Sequence, residues 1–289
     1  MNQMGITCGF YRKGCAVLKG CKPAGYPRTL SLNINKSKRY PMEGLEYIYE
    51  LCEALPRSGP GDNEYTRRAF NMIPRLQSPP FILDIGCGQG MQTIELAEIS
   101  KSKIIALDNH QAFLYLLMEH AKKQKIEEKI IPKMLSMLDM DFKEGTFDII
   151  WSEGALYFMG FENGLKRCHQ LLKEKGHLAV TELVYTTPNP PPPVVEYFES
   201  EYPDIKNIEE NLELIKKEGF ALVSNFTLPE SAWMNNYYLP MEKELPRLNE
   251  KYEGNEVALA VFDRFQSEAN FYRKYSNFFG YEFFVMKKK

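Results

Sequence analysis

The sequence has no apolar run close to the ~18–20 residues that span a bilayer, and its N-terminal segment lacks the apolar core of a secretory signal. We therefore expect a cytoplasmic protein without a membrane span. The chain of 289 residues has six cysteines but no CxxC pair, which favours scattered, reduced thiols over a metal site at Cys8, Cys15 and Cys21. Only four histidines occur and they are dispersed, so no metal is expected.

Acidic residues are absent from the first 42 positions. All 38 Asp and Glu residues lie beyond residue 42, whereas eight of the 36 Lys and Arg residues lie before it. The acidic body argues against DNA as a partner, because Lys and Arg contacts to phosphates supply most of that affinity. The segment 1–42 has little apolar periodicity, which predicts a flexible basic arm, and docking of this arm on an anionic partner stays open. One domain is expected over 43–289.

Within that domain, short apolar segments alternate with segments of helical periodicity. The alternation is typical of a Rossmann-like, doubly wound α/β sheet, which we expect to have seven mostly parallel strands with helices on both faces. The predicted strands are 80–85, 103–107, 130–135, 147–152, 177–184, 220–227 and 281–287. The predicted helices are 44–55, 63–75, 91–100, 110–124, 161–173, 207–218, 239–251 and 255–277, with Asp62 as the N-cap of the second.

Helical elements are expected to cap a core of residues 78–186. One cap is N-terminal, at 43–76, and the other is an insertion at 229–280 before the last strand. Between core and insertion, "TPNPPPP" (187–193) predicts an extended connector. In the insertion, Trp233, Tyr237 and Tyr238 form either an aromatic lid over the site or ordinary core.

The segment "ILDIGCGQG" (82–90) places an acid and three glycines between a strand and a helix. Such a loop presents backbone N–H groups and the positive end of the helix to a ligand. Dinucleotide-binding enzymes use G-x-G-x-x-G there, but this chain has Gly86, Gly88 and Gly90 followed by Met91. Asp84 would also oppose a pyrophosphate, whereas it would favour a ligand that carries an ammonium group. These features argue against NAD.

A second acid, Asp108, ends the next predicted strand in "IIALDN". A carboxylate there can accept hydrogen bonds from both hydroxyl groups of a ribose. A ligand with an amino-acid end, a ribose and no phosphate is S-adenosylmethionine. We therefore expect S-adenosylmethionine as the cofactor and S-adenosylhomocysteine as the product.

Three segments, "ILDIGCGQG", "ALDNH" and "LSMLDMDFKEGTFDIIWSEGALY", resemble the class I S-adenosylmethionine-dependent methyltransferases. The resemblance covers about 45–185, and it is greatest for the type 11 domain group, which includes methyltransferases of ubiquinone and menaquinone biosynthesis. The residues predicted to bind the cofactor, in part from this resemblance, are Asp84, Gly86, Gly88, Gly90, Asp108, Asn109, Ser136, Met137, Glu153 and Arg57.

The resemblance also implies what several of these residues bind. The glycines would line the methionine moiety, Asp84 would approach its amino group, and Asp108 would hold the ribose. Ser136 stands where the family has an acid, so it either accepts a hydrogen bond from the adenine amine or is an ordinary strand-end residue. Arg57, in "RSGPGD", would bind a carboxylate of the cofactor or of the substrate.

Methyl transfer from a sulfonium is an in-line displacement, in which the enzyme aligns the reacting groups and excludes water. The reaction is expected beyond the carboxyl ends of the strands. There, Glu153 and Tyr157 follow the fourth strand and Glu182 lies near the end of the fifth, so we predict catalytic or substrate-orienting roles for them. The alternatives are structural: Glu153 would hydrogen-bond the loop backbone, and Glu182 would pair with a nearby base.

The segment after the fourth strand bears on the acceptor. Enzymes that methylate amines of nucleobases or glutamine usually carry [DN]-P-P-[YF] there, whereas this chain has Ser152-Glu153-Gly154-Ala155. A small-molecule acceptor is therefore predicted. A protein or tRNA acceptor and a non-catalytic S-adenosylmethionine-binding protein are kept as alternatives, and a homodimer is left open.

Overall fold

The fold is built on a mixed sheet of eight strands, seen in a computed structural model that describes residues 44–74, 76 and 78–289. The predicted arm at 1–42 lies outside the described residues. The strands are β1 (Ile82–Ile85), β2 (Ile104–Asp108), β3 (Ile130–Met134), β4 (Phe147–Ser152), β5 (Leu172–Tyr185), β6 (Lys206–Asn207), β7 (Phe220–Thr227) and β8 (Phe279–Lys288). They are ordered β3-β2-β1-β4-β5-β8-β7, and the two-residue β6 pairs with β5 outside this path.

Ten α-helices occur in the described part of the chain. They are α1 (Leu45–Glu53), α2 (Asn63–Met72), α3 (Met91–Ser100), α4 (Gln111–Lys123), α5 (Phe161–Leu171), α6 (Pro192–Glu201), α7 (Ile208–Lys217), the one-turn α8 (Glu230–Trp233), α9 (Leu239–Lys251) and α10 (Glu256–Tyr275). The predicted N-cap of α2 is confirmed, because the Asp62 side chain accepts a hydrogen bond from the Glu64 backbone N–H at 2.8 Å.

Alternation along the strands divides the apolar residues between the two faces of the sheet. In β1, Ile82 belongs to one hydrophobic cluster, whereas Leu83 and Ile85 belong to the other. Both faces are therefore covered by helices, as expected for a doubly wound sheet. β1 pairs in parallel with both β2 and β4, whereas β8 runs antiparallel to β5 and β7. The prediction of a Rossmann-like, mostly parallel α/β sheet is confirmed.

The chain leaves β1 toward β2 on one side, and β4 lies on the other. A crevice opens at such a switch point beyond the carboxyl ends of the strands, where ligands bind in open α/β sheets. The glycine loop at 86–90 and the segment after β4 both lie at this edge. The fold thus brings the two motifs together.

Several elements differ from the predicted ones. The proline-rich segment is shorter than expected, because Pro192 and Pro193 occupy the first turn of α6, where a missing N–H costs no helical hydrogen bond. The sheet has one more strand, the short β6. β5 begins at Leu172, inside the predicted helix 161–173, and residues 234–238 form a π-helical turn between α8 and α9. No helix of the described residues is long and apolar enough to cross a membrane.

Candidate functional site

The glycine loop has a left-handed backbone at each of its three glycines, with φ of 69° at Gly86, 53° at Gly88 and 80° at Gly90. Two of them are also sites of close packing. A Cβ at Gly86 would lie 2.4 Å from the Ala155 Cβ, and one at Gly90 would lie 2.0 Å from the Leu117 Cδ1. Gly88 differs, because its nearest neighbour is the Ser58 Oγ at 3.4 Å. The loop is therefore tightly packed at Gly86 and Gly90, whereas an added Cβ at Gly88 would make only ordinary contact with Ser58.

Asp84 lies beneath this loop, with no solvent exposure. Its Oδ2 accepts hydrogen bonds from the Thr93 hydroxyl at 2.5 Å and the Gln92 amide at 3.3 Å, both in the first turn of α3. Its Oδ1 has no hydrogen-bond partner among the described residues. The pKa of Asp84 is raised to about 7, mainly by burial and also by the nearby carboxylates of Glu153 and Asp108, against the lowering by Thr93 and Gln92. Asp84 thus holds the first turn of α3 through Oδ2, while its Oδ1 accepts no hydrogen bond from the described residues.

Asp108 ends β2 on the opposite side of the loop. Its Oδ2 accepts from the Gly88 N–H and its Oδ1 from the His110 N–H, each at 2.9 Å. Burial raises its pKa, while these backbone hydrogen bonds act in the other direction. A carboxylate has about four acceptor positions, so both oxygens can still accept from a bound ligand.

One pocket joins these elements. Nine of the ten residues predicted to bind the cofactor line it: Arg57, Gly86, Gly88, Gly90, Asp108, Asn109, Ser136, Met137 and Glu153. Asp84 is the exception and lies behind the wall, where it holds the lining residue Gln92. The Ser136 hydroxyl caps the short 3₁₀ turn at 137–139 by accepting from the Leu138 N–H at 3.1 Å. The structure thus brings residues from five separate stretches of sequence to one cavity.

The pocket has walls that the motifs did not reveal. They come from α1, the loop after it and two further aromatic residues: Leu45, Ile48, Tyr49, Cys52, Ser58, Gly59, Pro60, Phe113 and Phe158. A signal was present in the sequence, because Leu45, Ile48, Tyr49 and Cys52 share the apolar face predicted for the first helix. Periodicity alone cannot show that such a face covers a ligand cavity rather than ordinary core.

Glu153 lies on the pocket wall, but three donors hold its carboxylate. The Arg57 Nη1 lies 3.2 Å from Oε2, and Oε1 accepts from the Thr66 hydroxyl at 2.7 Å and the Trp151 Nε1 at 2.8 Å. Arg57 also donates through Nη2 to the Asn63 side chain at 2.7 Å. Arg57 and Glu153 therefore neutralise each other in the pocket lining, and two of the five N–H donors of the guanidinium are used by Glu153 and Asn63.

Tyr157 and Glu182 lie next to the pocket without lining it. Each is 1% exposed, and the Glu182 carboxylate accepts from the Tyr202 hydroxyl at 2.5 Å. The Tyr157 ring packs on Phe158, a lining residue, with centroids 4.5 Å apart. Burial raises the pKa of Tyr157 well above its usual value, and the neighbouring tyrosines and Glu182 add to this. Their predicted catalytic roles stay predictions.

The aromatic residues of the insertion are core. Trp233, Tyr237 and Tyr238 are each 1% exposed and none lines the pocket, which favours the second of the two interpretations offered above. Trp233 stacks on Tyr272 with centroids 4.5 Å apart. His110 also lies outside the lining, where it stacks on Tyr49 and contacts Glu53. Among the described residues, no group of three His, Cys, Asp or Glu side chains could hold a metal ion.

Comparison with known proteins agrees with this geometry. Residues 82–176 match a family model described as a methyltransferase domain. The matched segment holds the glycine loop, Asp108, Ser136 and Glu153, and the resemblance to class I methyltransferases noted from the sequence is confirmed.

Two relatives and one solved structure illustrate the similarity. A sterol 24-C-methyltransferase of Saccharomyces cerevisiae is 25% identical over 65% of this chain and 50% of its own length. A demethylmenaquinone methyltransferase of Bacteroides fragilis is 28% identical over 44% of this chain and 52% of its own. The chain thus spans about half the length of these relatives.

The solved structure is a SAM-dependent methyltransferase from Geobacter sulfurreducens, crystallised with S-adenosyl-L-homocysteine. It superposes with a TM-score of 0.74 at 17% identity and covers 84% of this chain and 98% of that one. At this identity the likeness shows a shared fold, and the binding of a cofactor by the present chain has to be argued from its own residues.

Proposed function

We propose that this protein binds S-adenosylmethionine and transfers its methyl group to a small-molecule acceptor. One observation carries the proposal. A single pocket joins the glycine loop at the N-terminus of α3 to the Asp108 carboxylate at the end of β2. The first suits the amino-acid end of the ligand and the second suits its ribose.

The residues present fit this cofactor along its length. All three loop glycines line the pocket, so their backbone can approach the amino-acid end of the ligand closely. Asp108, Asn109, Ser136 and Met137 line the same pocket, and we assign the first two to the ribose and the last two to adenine. S-adenosylmethionine contains no pyrophosphate. Asp84, whose Oδ1 has no hydrogen-bond partner among the described residues, would disfavour a ligand that contains one. These features support S-adenosylmethionine over NAD.

When bound, S-adenosylmethionine supplies a methyl group activated by a positively charged sulfur. The chain's own contribution is to position the ligand and to exclude water. Leu45, Phe113 and Phe158 supply apolar walls, and Glu153 places a fixed carboxylate on the same cavity. Because Arg57, Thr66 and Trp151 hold Glu153, we propose that it orients and stabilises charge instead of taking a proton.

For the acceptor we propose a small molecule that reaches the cavity beside Gly154, Ala155 and Phe158. Tyr157 and Glu182 adjoin this side and are proposed to orient the acceptor from behind Phe158. The curated relatives named as sterol and demethylmenaquinone methyltransferases support the small-molecule class without identifying the compound.

Titration calorimetry tests the cofactor first. We expect micromolar binding of S-adenosylmethionine and S-adenosylhomocysteine and no binding of NAD. Transfer of labelled methyl groups is then measured with small-molecule extracts, total protein and total tRNA as acceptors. Labelling of protein or tRNA alone would contradict the small-molecule proposal, and cofactor binding without labelling of any fraction would favour a non-catalytic binding protein.

A further inference from the structure

Ser58 presents a hydroxyl that none of the described residues uses. Its Oγ is buried and has no hydrogen-bond partner within the described residues, although Ser58 lines the pocket. A buried hydroxyl without a partner costs free energy, so such groups usually serve a ligand or a bound water. Ser58 adjoins the glycine loop, because a Cβ added at Gly88 would lie 3.4 Å from this oxygen.

The glycine loop leads into the N-terminus of α3, a helix of ten residues. Its N-cap residue, Gly90, has no side chain, so no cap hydrogen bond is made. Met91 and Gln92, in the first turn, line the same pocket as Ser58. An uncapped helix N-terminus favours an anion through its free N–H groups and its dipole. An anionic group between this helix and Ser58 would satisfy donors on both sides.

The loop that carries Ser58 is fixed in place from two directions. On one side Arg57 is held by Glu153 and Asn63. On the other, the Gly61 N–H donates to the Ala232 carbonyl at 2.9 Å, and the Asn236 amide donates to the Gly61 carbonyl at 3.0 Å. Asn236 lies in the π-helical turn at 234–238, a type of irregularity that is frequent at functional sites. The Ser58 hydroxyl is therefore positioned before a ligand arrives, which lowers the entropy cost of binding.

We infer that Ser58 donates a hydrogen bond to the carboxylate of the methionine moiety of the cofactor, beside the N-terminus of α3. The inference rests on the proposed function. We place Ser58 in the carboxylate-binding role that the sequence analysis predicted for Arg57, because the Arg57 guanidinium is held by Glu153 and Asn63. Ser58, in the N-terminal helical cap (43–76), thus binds the cofactor. Asn236, in the insertion (229–280), holds the loop of Ser58 in position.

Three ligands separate this contact from others in the pocket. S-adenosylhomocysteine has the carboxylate, decarboxylated S-adenosylhomocysteine lacks only that group, and 5′-methylthioadenosine lacks the whole amino-acid end. In titration calorimetry, Ser58→Ala is expected to lose about tenfold or more in affinity for S-adenosylhomocysteine, as for a hydrogen bond to a charged group. Its affinity for the other two ligands is expected to stay at the wild-type value. Ser58→Thr keeps the hydroxyl and should retain most of the binding.

Two controls make the outcome decisive. Asp108→Asn should weaken all three ligands, since all contain the ribose. Thermal unfolding without ligand should show Ser58→Ala at least as stable as wild type, because it removes an unpartnered buried hydroxyl. An unchanged affinity for S-adenosylhomocysteine, or an equal loss for all three ligands, would overturn the inference. Failure of wild type to bind any of them would instead overturn the proposed function.

Discussion

Arg57 and Glu153 form a buried ion pair between residues 96 positions apart in the chain, with 3.2 Å between Nη1 and Oε2. Their side chains are 7% and 4% exposed. The pair joins the loop after α1 to the end of β4, and both segments contribute to the lining of the same pocket. The relative position of these two segments therefore depends on an ion pair whose charges compensate each other with little exposure to solvent.

Substitution of Arg57 by Met should be strongly destabilising. It leaves the Glu153 carboxylate buried with only Thr66 and Trp151 as donors, and removal of one partner of a buried pair typically costs about 3–5 kcal/mol. Urea unfolding followed by circular dichroism measures the loss. Lys166→Met, which breaks an exposed pair with Glu162, is the control and should shift the midpoint little.

The double variant Arg57→Met/Glu153→Met distinguishes a charge effect from a packing effect. If the unpaired charge causes the loss, the double variant should be more stable than Arg57→Met alone, since neither charge is then left buried. Additive losses would mean that packing of the arginine side chain dominates.

Much of the fold could be predicted because periodicity and glycine placement are local properties. β1, β2 and β4 agree with the predicted strands within two residues at each end, as their apolar runs are bounded by turn residues. The start of α6 was missed because a run of prolines favours an extended backbone, although its last members can occupy the first turn of a helix. The π-helical turn at 234–238 was also missed, since no local pattern distinguishes it from an α-helix.

Gly90 should be the least replaceable residue of the loop. Ala at this position combines a left-handed backbone with a Cβ 2.0 Å from the Leu117 Cδ1, so Gly90→Ala is expected to cost about 2–4 kcal/mol of folding stability. Gly145→Ala is the matched control, because its φ of 64° is similar and nothing lies within 4 Å of the added Cβ. It should cost about 1–2 kcal/mol. Equal shifts of the thermal midpoint would show that Leu117 moves aside.

The site was less predictable than the fold, because its residues meet only in three dimensions. The glycines and Asp108 follow parallel strands at one sheet edge, so their proximity follows from topology alone. The contact between Arg57 and Glu153 could not be predicted from topology. It forms only because α2 packs against the end of β4. Tyr157 and Glu182 follow the correct strands, but they lie behind the pocket wall.

Asp108 should contribute most of the affinity for the nucleoside. Asp108→Ala removes the acceptor for the ribose hydroxyls and is expected to weaken S-adenosylhomocysteine by about 1.5–3 kcal/mol, the usual range for a hydrogen bond to a charged group. The same titration with 5′-methylthioadenosine should show a similar loss. A loss for S-adenosylhomocysteine alone would place Asp108 at the amino-acid end and contradict the orientation proposed for the ligand.

Asp84 should make the ligand-free protein less stable as the pH rises. Its pKa is about 7 in the folded state against an ordinary value of 3.8, so folding favours the protonated carboxyl. The resulting penalty is absent below pH 3.8, grows by about 1.4 kcal/mol for each pH unit above it, and levels off above pH 7. Asp84→Asn removes the titration and keeps a side chain that can accept from Thr93. It should therefore raise the thermal midpoint more at pH 8 than at pH 5.

The same substitution should weaken the cofactor, because the unused Asp84 oxygen is proposed to favour the ammonium group of the methionine moiety. Thr93→Val is the control, since it removes a donor to Asp84 and should lower stability at both pH values. A gain in stability combined with a loss of S-adenosylhomocysteine affinity would identify Asp84 as a carboxylate kept for binding at the expense of folding. If Asp84→Asn destabilised the protein equally at both pH values, the carboxylate would instead serve mainly to fix the start of α3.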